Sequence, residues 1–156
     1  MADTPQQEKA LPPVQVNAQY IKDLSFEVPG APAIFVDLQN HAPEISVQVN
    51  LEGTPLQDNV YEMALHMKVE AKLNDKPAFL AELVYAGVFT LNVPQEHVQP
   101  ALLIECPRLL FPFARNIIAD LTRDGGFPPM LLQPIDFVQL FRQRVEAAAA
   151  AQQPAN

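Results

Sequence analysis

A chain of 156 residues with 49% hydrophobic content has the composition of one globular domain, which excludes a protein that is disordered throughout. Its net charge of −8 arises wholly in residues 1–100, which contain 13 acidic and 5 basic residues. This acidity either keeps an apolar protein soluble or attracts a basic partner, and it argues against nucleic acid as a partner. With a single cysteine and no uncharged apolar run of membrane-span length, we expect a cytoplasmic protein without a disulfide or membrane insertion.

The first part of the chain predicts a leader and two strands. Residues 1–13 are polar and proline-rich, which predicts a disordered leader without the apolar core of a signal peptide. Residues 14–28 predict an extended strand whose polar face carries carboxylates. A short apolar connector at residues 34–38 precedes a second strand at residues 44–52, where apolar and polar side chains alternate. We expect Gly53 and its neighbours to end that strand.

Two longer strands follow. Residues 60–73 alternate throughout and predict a strand with one wet face. Residues 74–77 read as a turn, and residues 78–93 predict a strand that is mostly apolar on both faces. Because hairpin-like connections join consecutive strands, we expect an antiparallel meander of four strands.

The last part of the chain predicts two amphipathic helices. Apolar side chains recur at helical spacing from Leu110 onward, so the first helix should begin near Leu110 and end at the pair Gly125 and Gly126. An apolar link interrupted by prolines follows it. Asp136 is placed to cap a terminal helix, and we expect residues 147–156 to fray into a flexible tail.

These elements predict one α+β domain, at residues 14–146, in which both C-terminal helices pack on one face of the four-stranded antiparallel sheet. One helix covers roughly one sheet face, yet the last strand is apolar on both faces and each helix needs cover of its own. Association with other copies supplies this cover more naturally than a monomer does. We therefore predict a homo-oligomer.

Catalytic and metal chemistry find little support in the residue pattern. The three histidines, His41, His66 and His97, have no partner at metal-ligand spacing, so we predict no metal site and no cofactor. Cys106 could act as a nucleophile with His97 as its base. No third orienting group accompanies them, however, and a buried or interface cysteine is the commoner outcome. The expectation is a protein that is not an enzyme.

Large apolar side chains are frequent in the irregular segments that prolines punctuate. They are Phe35, Leu38, Phe127, Met130, Leu131 and Leu132. Two interpretations stay open on the residues alone: these side chains pack over the core as ordinary loops do, or they form a groove for apolar or extended peptide partners. Met and Phe suit the second interpretation because they adapt to partners of varied shape.

Four blocks of the sequence resemble SecB, a family of bacterial protein-export chaperones. The blocks are YIKDLSFEVPGAP at residues 20–32, DNVYEMALHMKVEA at 58–71, AFLAELVYAGVF at 78–89 and CPRLLFPFARNIIADLTRDGGFPPMLLQPIDF at 106–137. They follow one another in the family's order and at compatible spacing, and the likeness spans about residues 14–145. The family is therefore the leading interpretation.

The resemblance implies the same α+β subunit assembled as a dimer of dimers. It also implies an ATP-independent chaperone that keeps unfolded preproteins export-competent and delivers them to the SecA motor. The SecA-binding surface that it implies consists of Asp23, Glu27, Leu80 and Glu82. The client-binding grooves that it implies contain Phe35, Leu38, Phe127, Met130, Leu132, Phe137, Leu140 and Phe141. The interface between dimers that it implies lies on the helix at residues 110–123 and includes Phe113, Ile117, Ile118 and Leu121.

Two other classes of function compete with this interpretation. A carrier of small apolar ligands would enclose a cavity between the sheet and a helix. An acid–base enzyme would need opposed carboxylates, and the sequence contains no pair that requires this role.

Overall fold

The computed structural model describes residues 9–153 of the chain. Within this range the chain forms one sheet and a C-terminal helical region, which confirms the α+β class. The elements are β1 (Val14–Glu27), α1 (Ile34–Asp37), β2 (Glu44–Gln57), β3 (Val60–Leu73), β4 (Lys76–Leu91), α2 (Val98–Pro100), α3 (Cys106–Asp124) and α4 (Phe137–Ala151). A 3₁₀ turn at Gln95–His97 precedes α2, and a π-helical turn at Ala101–Glu105 leads from α2 directly into α3.

The sheet is antiparallel throughout, with the strand order β1-β4-β3-β2. The predicted meander is therefore wrong for β1, which lies beside β4, with Val14 opposite Leu91. The chain crosses from one edge of the sheet to the other between β1 and β2. The physical reason lies in β4: a strand that is apolar on both faces is best placed in the interior of the sheet, with neighbours on both sides.

Two tight turns connect β2 to β3 and β3 to β4. Asn59 has a φ of 62°, and Asn74 and Asp75 have φ values of 50° and 62°. Asn and Asp tolerate this left-handed conformation better than other residues with a side chain, which suits a two-residue hairpin turn. The turn that was predicted at residues 74–77 therefore consists of residues 74 and 75 alone. Strand β2 also continues past Gly53 to Gln57, since an edge strand tolerates the proline at position 55.

Helix α3 begins earlier than the proline pattern predicts, at Cys106 rather than near Leu110. Residues 95–105 already wind helically, so α3 continues an existing helix. Neither Pro107, the second residue of α3, nor Pro112, which lies inside the helix and is exposed, can donate an N–H to this helix. Burial of the apolar face against the sheet outweighs the cost of an interior proline, and Ile118 on that face is 0% exposed.

Helix α3 covers one face of the sheet, where the odd-numbered residues of β4 are buried. Gly87 of β4 lies under the side chain of Leu110 from α3: a Cβ atom at Gly87 would lie 3.0 Å from Cδ2 of Leu110 and 2.8 Å from Cε2 of Phe89. A larger residue at this position would therefore push against both side chains. The residues on the other face of the sheet, such as Glu82 and Gln48, stay exposed to solvent.

Helix α4 begins as predicted, with Oδ1 of Asp136 accepting a hydrogen bond of 3.0 Å from the backbone N–H of Gln139. It packs mainly on the turn Ala101–Glu105. Near the β2 edge of the sheet, Nη1 of Arg144 donates to the carbonyl of Leu51 at 3.0 Å. The helix continues through the alanine run to Ala151, which agrees with the high helix propensity of alanine.

The predicted leader falls partly outside the described residues, which exclude positions 1–8 and 154–156. At its end the chain is bonded to the sheet: Asn92 donates from its side chain to the carbonyl of Pro12 at 2.9 Å and from its backbone to that of Pro13 at 2.8 Å. No helix among the described residues has the length and hydrophobicity needed to cross a membrane.

Candidate functional site

The structure brings the four residues of the predicted SecA surface together on the uncovered face of the sheet. In the pairing of β1 with β4, Glu27 lies opposite Leu80 and Ser25 lies opposite Glu82, while Asp23 lies opposite Val84. The three carboxylates are exposed and Leu80 is half-buried. We call the surface made by Asp23, Glu27, Leu80 and Glu82 the acidic face.

Strand β3 adds neighbours to the acidic face that the sequence did not reveal. Lys68 lies opposite Glu82, with Nζ 3.8 Å from Oε1, and Glu70 lies opposite Leu80. A shallow depression of about 360 Å³ lies beside this pair, and Asp23 and His66 also line it. The acidic face is therefore negative along β1 and mixed in charge toward β3, a distribution that only the strand order creates.

A cluster of polar side chains spans β4 farther along the same face. Glu62 on β3 accepts a hydrogen bond from the hydroxyl of Tyr20, and its Oε1 lies 2.7 Å from Nζ of Lys22. These hydrogen bonds, first from Lys22 and then from Tyr20, hold the pKa of Glu62 below its usual value. Burial and the bond to Glu62 raise the pKa of Tyr20 to about 12. The cluster ties the β1 edge strand to β3.

An apolar pocket of about 320 Å³ lies on the helix side of the sheet. Leu38, Phe127 and Met130, three of the predicted client-binding residues, line it. The lining also includes residues that were not predicted: His41, Ala42, Pro43, Ile45, Phe79 and Pro128. We call this cavity the apolar pocket. The apolar face of β2 and the apolar character of β4 were visible in the sequence, but their closeness to the link after α3 was not.

Aromatic rings form the back of the apolar pocket. The ring of Phe127 lies 4.9 Å from that of Phe79 and 5.3 Å from that of Phe35, measured between centroids. Phe35 also packs on Gly126, whose φ is +93° and where a Cβ atom would lie 2.9 Å from the Phe35 ring. The glycine after α3 thus both ends the helix and admits the ring from α1.

The remaining predicted client-binding residues, Leu132, Phe137, Leu140 and Phe141, are not among the residues that line the apolar pocket. Phe137 is 2% exposed and packs on Phe111 with a centroid distance of 6.1 Å, and Leu132 is also buried. Both belong to the core of the chain, because their side chains fill space between elements instead of facing a groove. Leu140 and Phe141 are half-buried on α4 and present part of their surface to solvent.

The predicted interface on α3 also divides into exposed and buried residues. Phe113 is 51% exposed and stacks on Tyr85, with centroids 6.1 Å apart. Ile117 and Leu121 are half-buried. Ile118 is buried against the sheet, in the core of its own chain.

Cys106 has none of the properties of a nucleophile. Its thiol is buried, and burial together with the charge of Glu105 raises the pKa of Cys106 to about 12. Residues 9–153 contain no group of three His, Cys, Asp or Glu side chains arranged to hold a metal ion.

The sheet thus has an apolar pocket on one side and an acidic face on the other. Residues 6–148 match the family model described as "Preprotein translocase subunit SecB". The protein-export protein SecB of Paramagnetospirillum magneticum is 58% identical over 151 residues, which cover 97% of this chain and 96% of that protein. The SecB of Rhodospirillum rubrum is 54% identical over 136 residues, covering 87% and 84%. The chain belongs to the SecB family of protein-export chaperones.

A solved structure supports the fold independently. The SecB-like chaperone of Mycobacterium tuberculosis, in complex with a ChAD peptide from the antitoxin HigA1, matches with a TM-score of 0.65 at 14% identity and covers 78% of this chain and 90% of that one. Family membership makes the protein a chaperone for protein export and not an enzyme. The alternative of a carrier for small apolar ligands gains no support from these relatives.

Proposed function

We propose that the protein captures unfolded precursor chains by burying their apolar side chains in the apolar pocket, and that it does so without ATP. The pocket itself carries this proposal: it is open to solvent, it is lined almost entirely by apolar atoms, and its volume of about 320 Å³ accommodates one or two large side chains. Folded proteins rarely keep such a surface exposed unless a partner covers it.

Capture of this kind selects clients by their folding rate. A chain that folds slowly exposes apolar segments long enough to be bound, whereas a fast folder buries them first. Met130 and the aromatic rings at the back of the pocket accept side chains of different shapes, which suits a chaperone with many clients. The SecB-like chaperone of M. tuberculosis was solved with a peptide bound, in keeping with this mode of action.

The acidic face is our proposed docking surface for the SecA motor. Three exposed carboxylates on adjacent strands attract a basic partner, and Leu80 between them offers an apolar contact. This face and the apolar pocket lie on opposite sides of the sheet, as the neighbouring residues Phe79 and Leu80 illustrate. A client and the motor can therefore bind at the same time, which transfer of the client requires.

We further propose that the protein works in the cytoplasm as a homotetramer, a dimer of dimers. Strand β1 lies at an edge of the sheet, and its residues Ile21 and Leu24 are exposed on the apolar side. Phe113 and Leu109 expose apolar surface on α3. An exposed edge strand and an exposed helix stripe are both surfaces that proteins usually cover, and a second copy of the chain covers them symmetrically.

Client capture is tested with a permanently unfolded probe, a small protein that has been reduced and alkylated. Met130→Asp places a charge in the pocket wall, so we expect it to weaken binding of the probe about tenfold or more. Val36→Asp is the matched control, because Val36 is exposed on α1 and is not among the residues that line the pocket. Equal affinity of both variants and the wild type, measured by fluorescence anisotropy, would contradict the proposal.

Motor docking is tested with the double variant Asp23→Ala, Glu82→Ala. We expect it to bind SecA about tenfold more weakly at low salt, because two charges of the acidic face are lost, and to capture the unfolded probe as the wild type does. The control removes two exposed acidic side chains elsewhere, with Glu96→Ala and Asp124→Ala. Unchanged SecA affinity in the first variant would rule out this docking surface.

A further inference from the structure

Thr122 occupies a position in α3 that neither the predicted binding residues nor the family match singles out. It is 0% exposed and lies near the C-terminal end of the helix. Its hydroxyl donates to the carbonyl of Ile118 or Ala119, each at 3.0 Å, and accepts a hydrogen bond of 2.9 Å from the backbone N–H of Met130. A hydroxyl has one hydrogen, so donation to the helix directs its lone pairs toward Met130.

The backbone of Thr122 makes a second bond to the same segment. Its carbonyl accepts from the N–H of Phe127 at 2.9 Å. Within the described part of the chain, these two hydrogen bonds are the ones that tie residues 127–135 to other residues. The segment has no helix or strand of its own, and its three prolines offer no N–H group.

The two bonds bracket the part of the link that lines the apolar pocket. Phe127, Pro128 and Met130 all line the pocket. Thr122 accepts hydrogen bonds from the N–H groups of Phe127 and Met130, which are the first and the last of these three residues. The aromatic contacts of Phe127 orient its ring, but these ring contacts give no such support to the backbone at Met130. The hydroxyl of Thr122 supplies it.

We propose that Thr122 is a positioning residue for client binding: through the N–H of Met130 it fixes the wall of the apolar pocket. This inference rests on the proposed capture of unfolded chains in that pocket. In the absence of the hydroxyl, the N–H of Met130 has no partner at this site and turns toward water, and the side chain of Met130 moves with it. The Met130 side chain then no longer lines the pocket in a fixed position, while the core beneath the pocket stays packed.

The test compares Thr122→Val with Thr122→Ser. Valine keeps the shape of threonine and removes the hydroxyl, whereas serine keeps the hydroxyl and removes a methyl group. We expect Thr122→Val to bind the reduced and alkylated probe about fivefold more weakly, the equivalent of one hydrogen bond, and Thr122→Ser to bind it like the wild type. Hydrogen–deuterium exchange of the Met130 amide should become faster in Thr122→Val and keep the wild-type rate in Thr122→Ser.

The outcomes separate this inference from the proposed function. Wild-type affinity in Thr122→Val, or unchanged exchange of the Met130 amide, overturns the role of Thr122 while capture in the pocket stands. A wild-type protein that does not bind the probe overturns the proposed function and with it the role of Thr122 in binding. A loss of affinity in Thr122→Ser as large as in Thr122→Val would show that packing, and not the hydroxyl, is responsible.

Discussion

At the level of single residues, Glu62 shows how one carboxylate organises a sheet edge. It contacts two side chains of β1 from β3, across the intervening strand β4. Its side chain is the less exposed member of its ion pair with Lys22, whose Nζ lies 2.7 Å away. Because the carboxylate of Glu62 accepts both hydrogen bonds, its protonation would weaken the side-chain link between β1 and β3.

The lowered pKa of Glu62 predicts a pH dependence of stability. A carboxyl group whose pKa is lower in the folded chain than in the unfolded chain stabilises the fold above its ordinary pKa, near 4.5, and this contribution disappears as the pH falls through the lowered value. We expect Glu62→Gln to lower the free energy of unfolding by about 1 kcal/mol at pH 7, a modest value because solvent reaches the cluster.

Urea unfolding of both proteins between pH 7 and pH 3 measures this effect. The difference in stability between wild type and Glu62→Gln should shrink as the pH falls below about 4.5, the ordinary value. Glu70→Gln is the control, since Glu70 lies on the same strand and, within residues 9–153, pairs with Lys72 of its own strand instead of with β1. Curves that stay parallel over the whole range would contradict the role of Glu62.

At the level of elements, α4 illustrates a helix that depends on its own first turn. Its side chains are mostly exposed, and Phe137 is the residue of α4 that is fully buried. Little tertiary packing therefore supports the helix along its length, so interactions within the helix contribute more to its stability than they do in α3. The hydrogen bond from Gln139 to the capping side chain of Asp136 is one such interaction. Leu140 and Phe141, which we predicted to contact clients, lie in the turn that this cap stabilises.

Asp136→Ala should destabilise α4 by about 1 kcal/mol, because the N–H of Gln139 loses its acceptor. Asp136→Asn is the matched control, since asparagine caps a helix nearly as well. Amide exchange of residues 137–145 should become faster in the alanine variant and change little in the asparagine variant. Equal exchange in both would show that packing on residues 101–105 alone holds α4.

At the level of the whole molecule, the chain exposes apolar surface on the side of the sheet that α3 covers. Ile21 and Leu24 expose apolar surface on the edge strand β1. Phe113 of α3 is also exposed, and its ring stacks on that of Tyr85. Burial raises the pKa of Tyr85, and its hydroxyl donates to Gln19 at 3.1 Å. Of this aromatic pair, Phe113 is the exposed member and Tyr85 the buried one, and the exposed apolar surface of Phe113 agrees with the proposed homotetramer.

Phe113→Glu should reduce the assembled mass, because a charge at this position cannot be buried against another copy without a partner. Val145→Glu is the control: Val145 is similarly exposed, at 52%, but lies on α4. Sedimentation equilibrium at micromolar concentration distinguishes the two variants from the wild type. If Phe113→Glu keeps the wild-type mass, the assembly does not use this face of α3.

Local sequence patterns determined the strands, the helices and the Asp136 cap, because periodicity and capping depend on residues that are close in the chain. The motifs also identified the family. Strand order was not predictable in this way, since the pairing of β1 with β4 joins residues that are far apart in sequence. For the same reason, only the tertiary structure distinguished Met130, which lines the pocket, from Leu132 and Ile118, which lie in the core. Equal hydrophobicity has different consequences according to which elements meet around a side chain.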